Sequence, residues 1–224
     1  MTAQIPDQFL YNEHRLELVG IKGEQLTTAN DFGIPTASAS TGCWRGYVMT
    51  YTIIEKQLFI ESFLVNTRAD TLPDINGISP TRDHELCGLF KFEYKNIHYK
   101  LPFNGSLWLA KDFIDSEYVH MGFQSPTAYR TVLKFDFEDG IIVNVEDKSK
   151  EAEISREKGG CKEAQPKSMS SEDLNDWIMK RFSLDIDVYN KKKNLEANEP
   201  TVEEVEKEML EELEILKKLK KREE

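Results

Sequence analysis

Histidine and cysteine are scarce, at four and three in 224 residues. Cys43, Cys87 and Cys161 stand far apart, are odd in number and form no C-x-x-C, which excludes a disulfide framework and the paired ligands of a structural zinc site. His14, His84, His98 and His120 lie at no ligand spacing from another His, Cys or carboxylate, so no metal is expected. His14 and His84 fall in polar turn and loop segments and are expected to be solvent-exposed. Missing too are a phosphate-cradling glycine loop, H-E-x-x-H, G-x-S-x-G and a calcium loop. No cofactor is therefore expected. No apolar run approaches the ~20 residues that span a bilayer. The opening MTAQIPDQFLY has neither the basic nor the apolar region of a signal peptide. The expectation is a cytoplasmic chain with reduced thiols and no membrane contact.

Basic residues are also in the minority. Lys and Arg number 29 against 40 Asp and Glu, for a net charge of −11. Up to Asp147 the count is 12 against 20, a net of −8, and this part holds all but one of the 12 Phe. It is the folded core and carries most of the acidity. Such a surface repels phosphate backbones, so nucleic acid is not expected as a partner. A basic protein is the natural charged partner, because opposite fields speed encounter; solubility alone also accounts for moderate acidity.

What is present is β-sheet patterning. Cys43 to Thr67 (CWRGYVMTYTIIEKQLFIESFLVNT) is two apolar runs about a turn at Glu55-Lys56, an antiparallel hairpin. That register pairs Ile53 with Leu58, Tyr51 with Ile60, Met49 with Ser62 and Tyr47 with Leu64 on a core face. A second hairpin, TVLKFDFEDGIIVNVED, turns at Asp139-Gly140, the strongest hairpin signal in the chain. It places Leu133, Phe135, Phe137 and Ile142 inward, with Lys134 and Asp136 on the opposite face. Phe9 to Ile21 reads as two short strands about Asn12-Glu13. LFKFEY and IHYKL read as a pair about Lys95-Asn96, SLWLAKDFI as a strand, and YVHMGF as a short or edge strand.

The fold expected is mainly β, an antiparallel sandwich or partly closed barrel with C-terminal helices, α+β overall. Residues 1–157 form the β domain, including a short exit helix about Lys148 to Lys158. Residues 158–169 are linker, 170–183 a short amphipathic helix capped by Ser170, and 184–200 a second linker. Residues 201–222 form a long amphipathic helix opened by a Thr201/Glu204 capping box. Its stripe of Val202, Val205, Met209, Leu213, Leu216 and Leu219 departs from a strict heptad by one step of four. A coiled coil and docking on a folded surface are equally open to it.

Few residues suggest chemistry. Cys43 with Arg45 nearby has the composition of an activated thiolate, but neighbours on a strand point to opposite faces. The plainer reading of Cys43-Trp44-Arg45-Gly46 is a strand entry with a buried Cys and a packed Trp. Asp112, Asp115 and Glu117 precede His120 in a carboxylate-rich stretch with the composition of a general acid/base group, or of a solvated loop beside a partly buried histidine.

CWRGYVMTYTI, INGISP, LAKDFIDSEYVHMGFQSPTAYRTV and FDFEDGIIV resemble a family of soluble bacterial proteins with no assigned function, over roughly residues 5 to 155. The resemblance implies one self-contained domain and supplies no activity, ligand or catalytic residue. Two departures are visible. Glu55-Lys56 stands where Asp-Gly is expected, implying a longer or looser turn, and the tail after residue 160 has no counterpart.

Three functional readings follow. The first is a non-enzymatic protein-interaction component, such as an immunity or defence-associated accessory protein, with a protein partner or self-association through the C-terminal helix. The second is an enzyme without a short motif, using Cys43, Arg45, Asp112 and His120. The third is a small-ligand-binding β-barrel, which needs an apolar-lined cavity of ~300 Å³ or more.

Overall fold

Three tight turns frame the sheet. Asn12-Glu13, Glu55-Lys56 and Asp139-Gly140 each hold both central residues at positive φ, the type I′ geometry whose twist matches paired strands. Glu55-Lys56 is therefore neither long nor loose. Ile53↔Leu58 and Ile54↔Gln57 pair directly beside it, and they outweigh the ~1–2 kcal/mol that each non-glycine residue costs in a left-handed conformation.

A computed structural model of the chain describes residues 2–159 and 166–186. Its strands are β1 (Gln8–Tyr11), β2 (His14–Gly23), β3 (Tyr47–Ile54), β4 (Gln57–Val65), β5 (Phe92–Tyr94), β6 (Tyr99–Lys100), β7 (Gly105–Phe113), β8 (Tyr129–Glu138) and β9 (Ile141–Asp147). Hydrogen bonding runs β3-β1-β2-β7-β8-β9-β4, and β4 pairs back onto β3. The sheet thus closes into a barrel. Every pairing between these strands is antiparallel except β1 with β3, which is parallel.

The seam between β9 and β4 is the thinnest. It holds one pair, Gln57↔Ile141, flanked by hydrogen bonds of 2.8 Å from Leu58 N–H to the Gly140 carbonyl and from Ile142 N–H to the Lys56 carbonyl. Farther along the same edge of β4 come β6 and then β5. The segment IHYKL accordingly pairs with β4 rather than with LFKFEY, because the open edge of β4 lies within its reach.

The barrel interior is filled. Phe9, Tyr51, Leu58, Ile60, Phe63, Leu107 and Phe135 are wholly enclosed, and Phe9 stacks on Tyr51 at 4.7 Å. A register shift opposite Thr50/Tyr51 pairs Thr50 with Ser62, Met49 with Phe63 and Val48 with Leu64. The expected Met49–Ser62 and Tyr47–Leu64 pairs are therefore wrong. A bulge adds one residue to β4 at Glu61 and flips the strand beyond it, which turns Phe63 and Val65 inward. Leu64 instead joins an outer cluster with Cys43, Val48 and Phe90.

YVHMGF forms no strand. The Gln124 side chain accepts from Val119 N–H at 3.0 Å and donates to the Val119 carbonyl at 2.8 Å, satisfying groups that a neighbouring strand would otherwise bond.

Two helices follow the barrel, α1 (Ser149–Gly159) and α2 (Ser171–Phe182). In α1, Ala152 is buried in a cluster with Val132 and Tyr129 of β8. Ser170 caps α2, its hydroxyl accepting from Asp173 N–H at 3.2 Å. Phe182 at the end of α2 stacks on Trp44 at 5.0 Å. Beyond it, Ile21 N–H donates to the Leu184 carbonyl (2.7 Å) and Ile186 N–H to the Ile21 carbonyl (2.9 Å). No helix among the described residues is long and apolar enough to cross a membrane. The stripe from Val202 to Leu219 lies outside the described residues.

Candidate functional site

The loop that delivers Cys43 to β3 is held from both sides. Cys43 N–H bonds the Ser40 carbonyl (3.0 Å) and Gly46 N–H the Cys43 carbonyl (3.2 Å). Gly46 sits at φ 78, where a Cβ would lie 2.2 Å from the Ala37 carbonyl oxygen. That close approach is why the turn ends in glycine. Gln4 clamps the same loop, donating to the Thr41 carbonyl (2.9 Å) and accepting from Trp44 N–H (3.1 Å).

Cys43 itself is buried, and its Sγ donates to the Tyr47 carbonyl at 3.4 Å. Burial pushes the thiol pKa up, against the opposing pull of Arg45. This is the reverse of an activated thiolate.

Arg45 turns to Asp7. Its Nη1 and Nη2 each lie 2.8 Å from one carboxylate oxygen, and Nη2 also reaches the Ile5 carbonyl at 3.2 Å. Asp7 Oδ1 accepts a further bond from Met49 N–H at 2.7 Å. The guanidinium lies 4.9 Å from the Tyr47 ring centroid and 5.8 Å from that of Phe123. Burial works against the Arg45 charge, but the adjacent Asp7 carboxylate outweighs it and raises the pKa. The pair acts as a brace between the N-terminal segment and β3. The two-pronged geometry is one that only an arginine can offer a carboxylate. Asp7 carried no signal in the sequence, being one acid among forty.

Asp112 and His120 are both exposed. Asp112, at φ 62, accepts from Thr131 Oγ1 at 2.7 Å. His120 Nδ1 lies 3.2 Å from the Tyr118 hydroxyl. His120 was expected to be partly buried, but the Val119–Gln124 bonds put the loop's apolar side inward at Val119 and Met121 and leave His120 outside. His84, expected to be exposed, is instead 8 % exposed, and neither ring nitrogen bonds a described residue. A hydrogen-bonded turn folds it under, through Cys87 N–H to the His84 carbonyl at 3.2 Å. Cys87 is exposed.

A different feature stands at the thin seam. β9 runs on past the tip of the β3–β4 hairpin, and among the described residues only β8 pairs with it beyond Ile142. Along that edge lies an open cleft of about 440 Å³ lined by Tyr11, Asn12, Ile53, Glu55, Lys56 and Ile142 through Val145. Val143 and Val145 are 53 % and 41 % exposed, and Ile54 and Ile141 beside them 45 % each. The signal for this patch was the β-branched run IIVNV, of which pairing about Asp139-Gly140 assigned only Ile142 to the core. Among the described residues, no three His, Cys, Asp or Glu side chains gather as metal ligands would.

Comparison with known proteins finds no matching family model, no matching curated protein and no matching solved structure.

Proposed function

We propose that this chain is a non-enzymatic protein-interaction component. The observation that carries the reading is a group of exposed apolar side chains at the thin seam of a barrel whose interior is filled. Ile54 and Ile141 stand on the outer face, and Val143 and Val145 line the cleft, Val145 on the same face as its pair Phe135. Apolar side chains left exposed together around an open cleft are characteristic of contact surfaces. Of the four candidate residues, the Cys43 thiol is engaged by a carbonyl and Arg45 by Asp7, while Asp112 bonds Thr131 and His120 bonds Tyr118 at the surface. The packed interior argues against a ligand-binding barrel, because Tyr51, Phe63 and Phe135 occupy the volume a ligand would need. An acidic surface of net charge −11 suits a basic partner, as an immunity or defence-associated accessory protein would have. A cytoplasmic setting accords with free Cys43 and Cys87.

Purification of the tagged full chain from its native cells, with cross-linking and mass spectrometry, tests the reading. The expected result is a second polypeptide in near-stoichiometric amount. Recovery of the chain alone at 25.9 kDa contradicts it.

A further inference from the structure

The open edge of β9 specifies more than an interface, because an unpaired strand edge dictates the form of what it binds. Beyond Ile142, every second N–H and C=O of β9 points away from β8, and those groups call for another extended backbone. Strand edges are ordinarily guarded by lysine, proline, a bulge or a covering loop. Residues 141–147, IIVNVED, contain neither lysine nor proline. A bulge between Ile142 and Asn144 and the charges of Glu146 and Asp147 at the far end are the guards present. The cleft beside the edge supplies room and two kinds of wall, apolar at Ile53, Val143 and Val145 and polar at Asn12 and Asn144.

Charge selects the occupant. Glu13 and Glu55 stand at the two hairpin tips bordering the cleft, and Glu138 and Asp139 at the tip that feeds β9. All four are exposed, and none has a salt bridge among the described residues. Lys56 is the one cation lining the cleft. A second copy of this chain is the poorer fit, since it would bring its own unpaired tip carboxylates and a net charge of −11 to the same edge.

We infer that β9 binds, by strand addition, an extended segment of a partner protein that alternates β-branched and polar residues and carries Lys or Arg at the flank that meets the hairpin tips. The far end of β9 is bordered by Lys134, Lys148, Arg130 and Lys150. The inference rests on the interaction reading above and names the surface and the partner's chemistry. Backbone bonds along 143–147 hold the segment, the cleft receives its alternate side chains, and the tip carboxylates meet its cations.

The test uses the full chain and three short synthetic peptides. One alternates Val and Thr with Lys at one flank, the second replaces each Lys by Glu, and the third is the Lys peptide with its central backbone nitrogens methylated. Binding is followed by fluorescence anisotropy, and its location by amide hydrogen exchange. The Lys peptide should bind and slow exchange at 143–147. The Glu peptide should bind at least about tenfold more weakly, like charges across an interface being strongly unfavourable, and the methylated peptide should not bind. Val143→Lys, at an exposed position, should keep the native circular dichroism spectrum and lose affinity for the Lys peptide.

Equal binding of the Lys and Glu peptides overturns the inference, as does protection at another surface or no binding of any peptide at millimolar concentration. A chain that is already dimeric, and becomes monomeric on Val143→Lys, assigns the edge to a second copy instead. If a partner co-purifies while the Lys peptide does not bind, the inference fails and the interaction reading stands.

Discussion

At the scale of single residues, the brace of Asp7 and Arg45 is costly to disturb. Asp7→Ala leaves a guanidinium and the Met49 N–H without their acceptor in a largely buried setting. A loss of ~3–5 kcal/mol in a urea titration is expected, as for breaking one side of a buried pair; a loss below ~1 kcal/mol would mean water replaces the carboxylate at no cost. The thiols make a second case. With its pKa raised by burial and its Sγ on the Tyr47 carbonyl, Cys43 should resist alkylation in the native state while exposed Cys87 reacts. Peptide mapping after a timed iodoacetamide pulse checks this, and equal labelling of the two would refute the burial argument. Asp136 makes the third. It accepts from Lys134 (2.8 Å), Ser106 (2.6 Å) and Asn144 (3.1 Å). Partial burial opposes its charge, but these donors prevail and hold its pKa below the usual carboxylate range. The folded state then binds the proton more weakly than the unfolded chain. The stabilisation is complete above the unfolded pKa of about 3.9 and is lost as pH falls through the lower folded value. Asp136→Asn should therefore flatten the fall of the urea midpoint below about pH 5; an unchanged slope would show that the pair contributes nothing.

At the scale of elements, Phe135 is the measure of the second hairpin. Wholly enclosed and edge-on to Tyr11 at 5.0 Å, it should cost ~3–5 kcal/mol when cut to alanine. A value under ~1 kcal/mol would place it outside the core. This hairpin was legible in the sequence because Asp139-Gly140 announces its turn and alternation its faces. The first hairpin was legible only as far as Tyr51↔Ile60. Beyond that a bulge reverses the faces, and a bulge spends an extra residue without a composition of its own. Glu61 between two phenylalanines was its one trace. The helix of Ser171–Phe182 follows from its cap and apolar spacing, whereas its contact with Trp44 joins residues with no pattern in common. Cys43 was readable as a buried strand entry, because a small apolar residue before a core strand usually packs. Asp7 as the partner of Arg45 was not, since a long-range salt bridge leaves no periodicity.

At the scale of the whole molecule, closure decides the behaviour. The parallel pairing of β1 with β3 brings the first strand across to the central hairpin, and the ring then needs β9 to meet β4. That meeting is one residue pair long, so the barrel is sealed by the interior packing of Phe9, Tyr51 and Phe135 more than by its last seam. Short closure is what leaves β9, among the described residues, with an unpaired edge and a cleft beside it. Neither closure nor open edge could be read from local patterns, because both depend on where distant strands end. The acidity spread over the domain sets the sign of the field around that edge.

Amide hydrogen exchange of the full chain, alone and with the Lys-flanked Val/Thr peptide, tests the account most directly. The account predicts slowed exchange confined to 143–147 and the adjoining hairpin tip, with the amides of Tyr51, Phe63 and Phe135 unchanged. Protection on another face of the barrel, or identical exchange in the two samples, would contradict it.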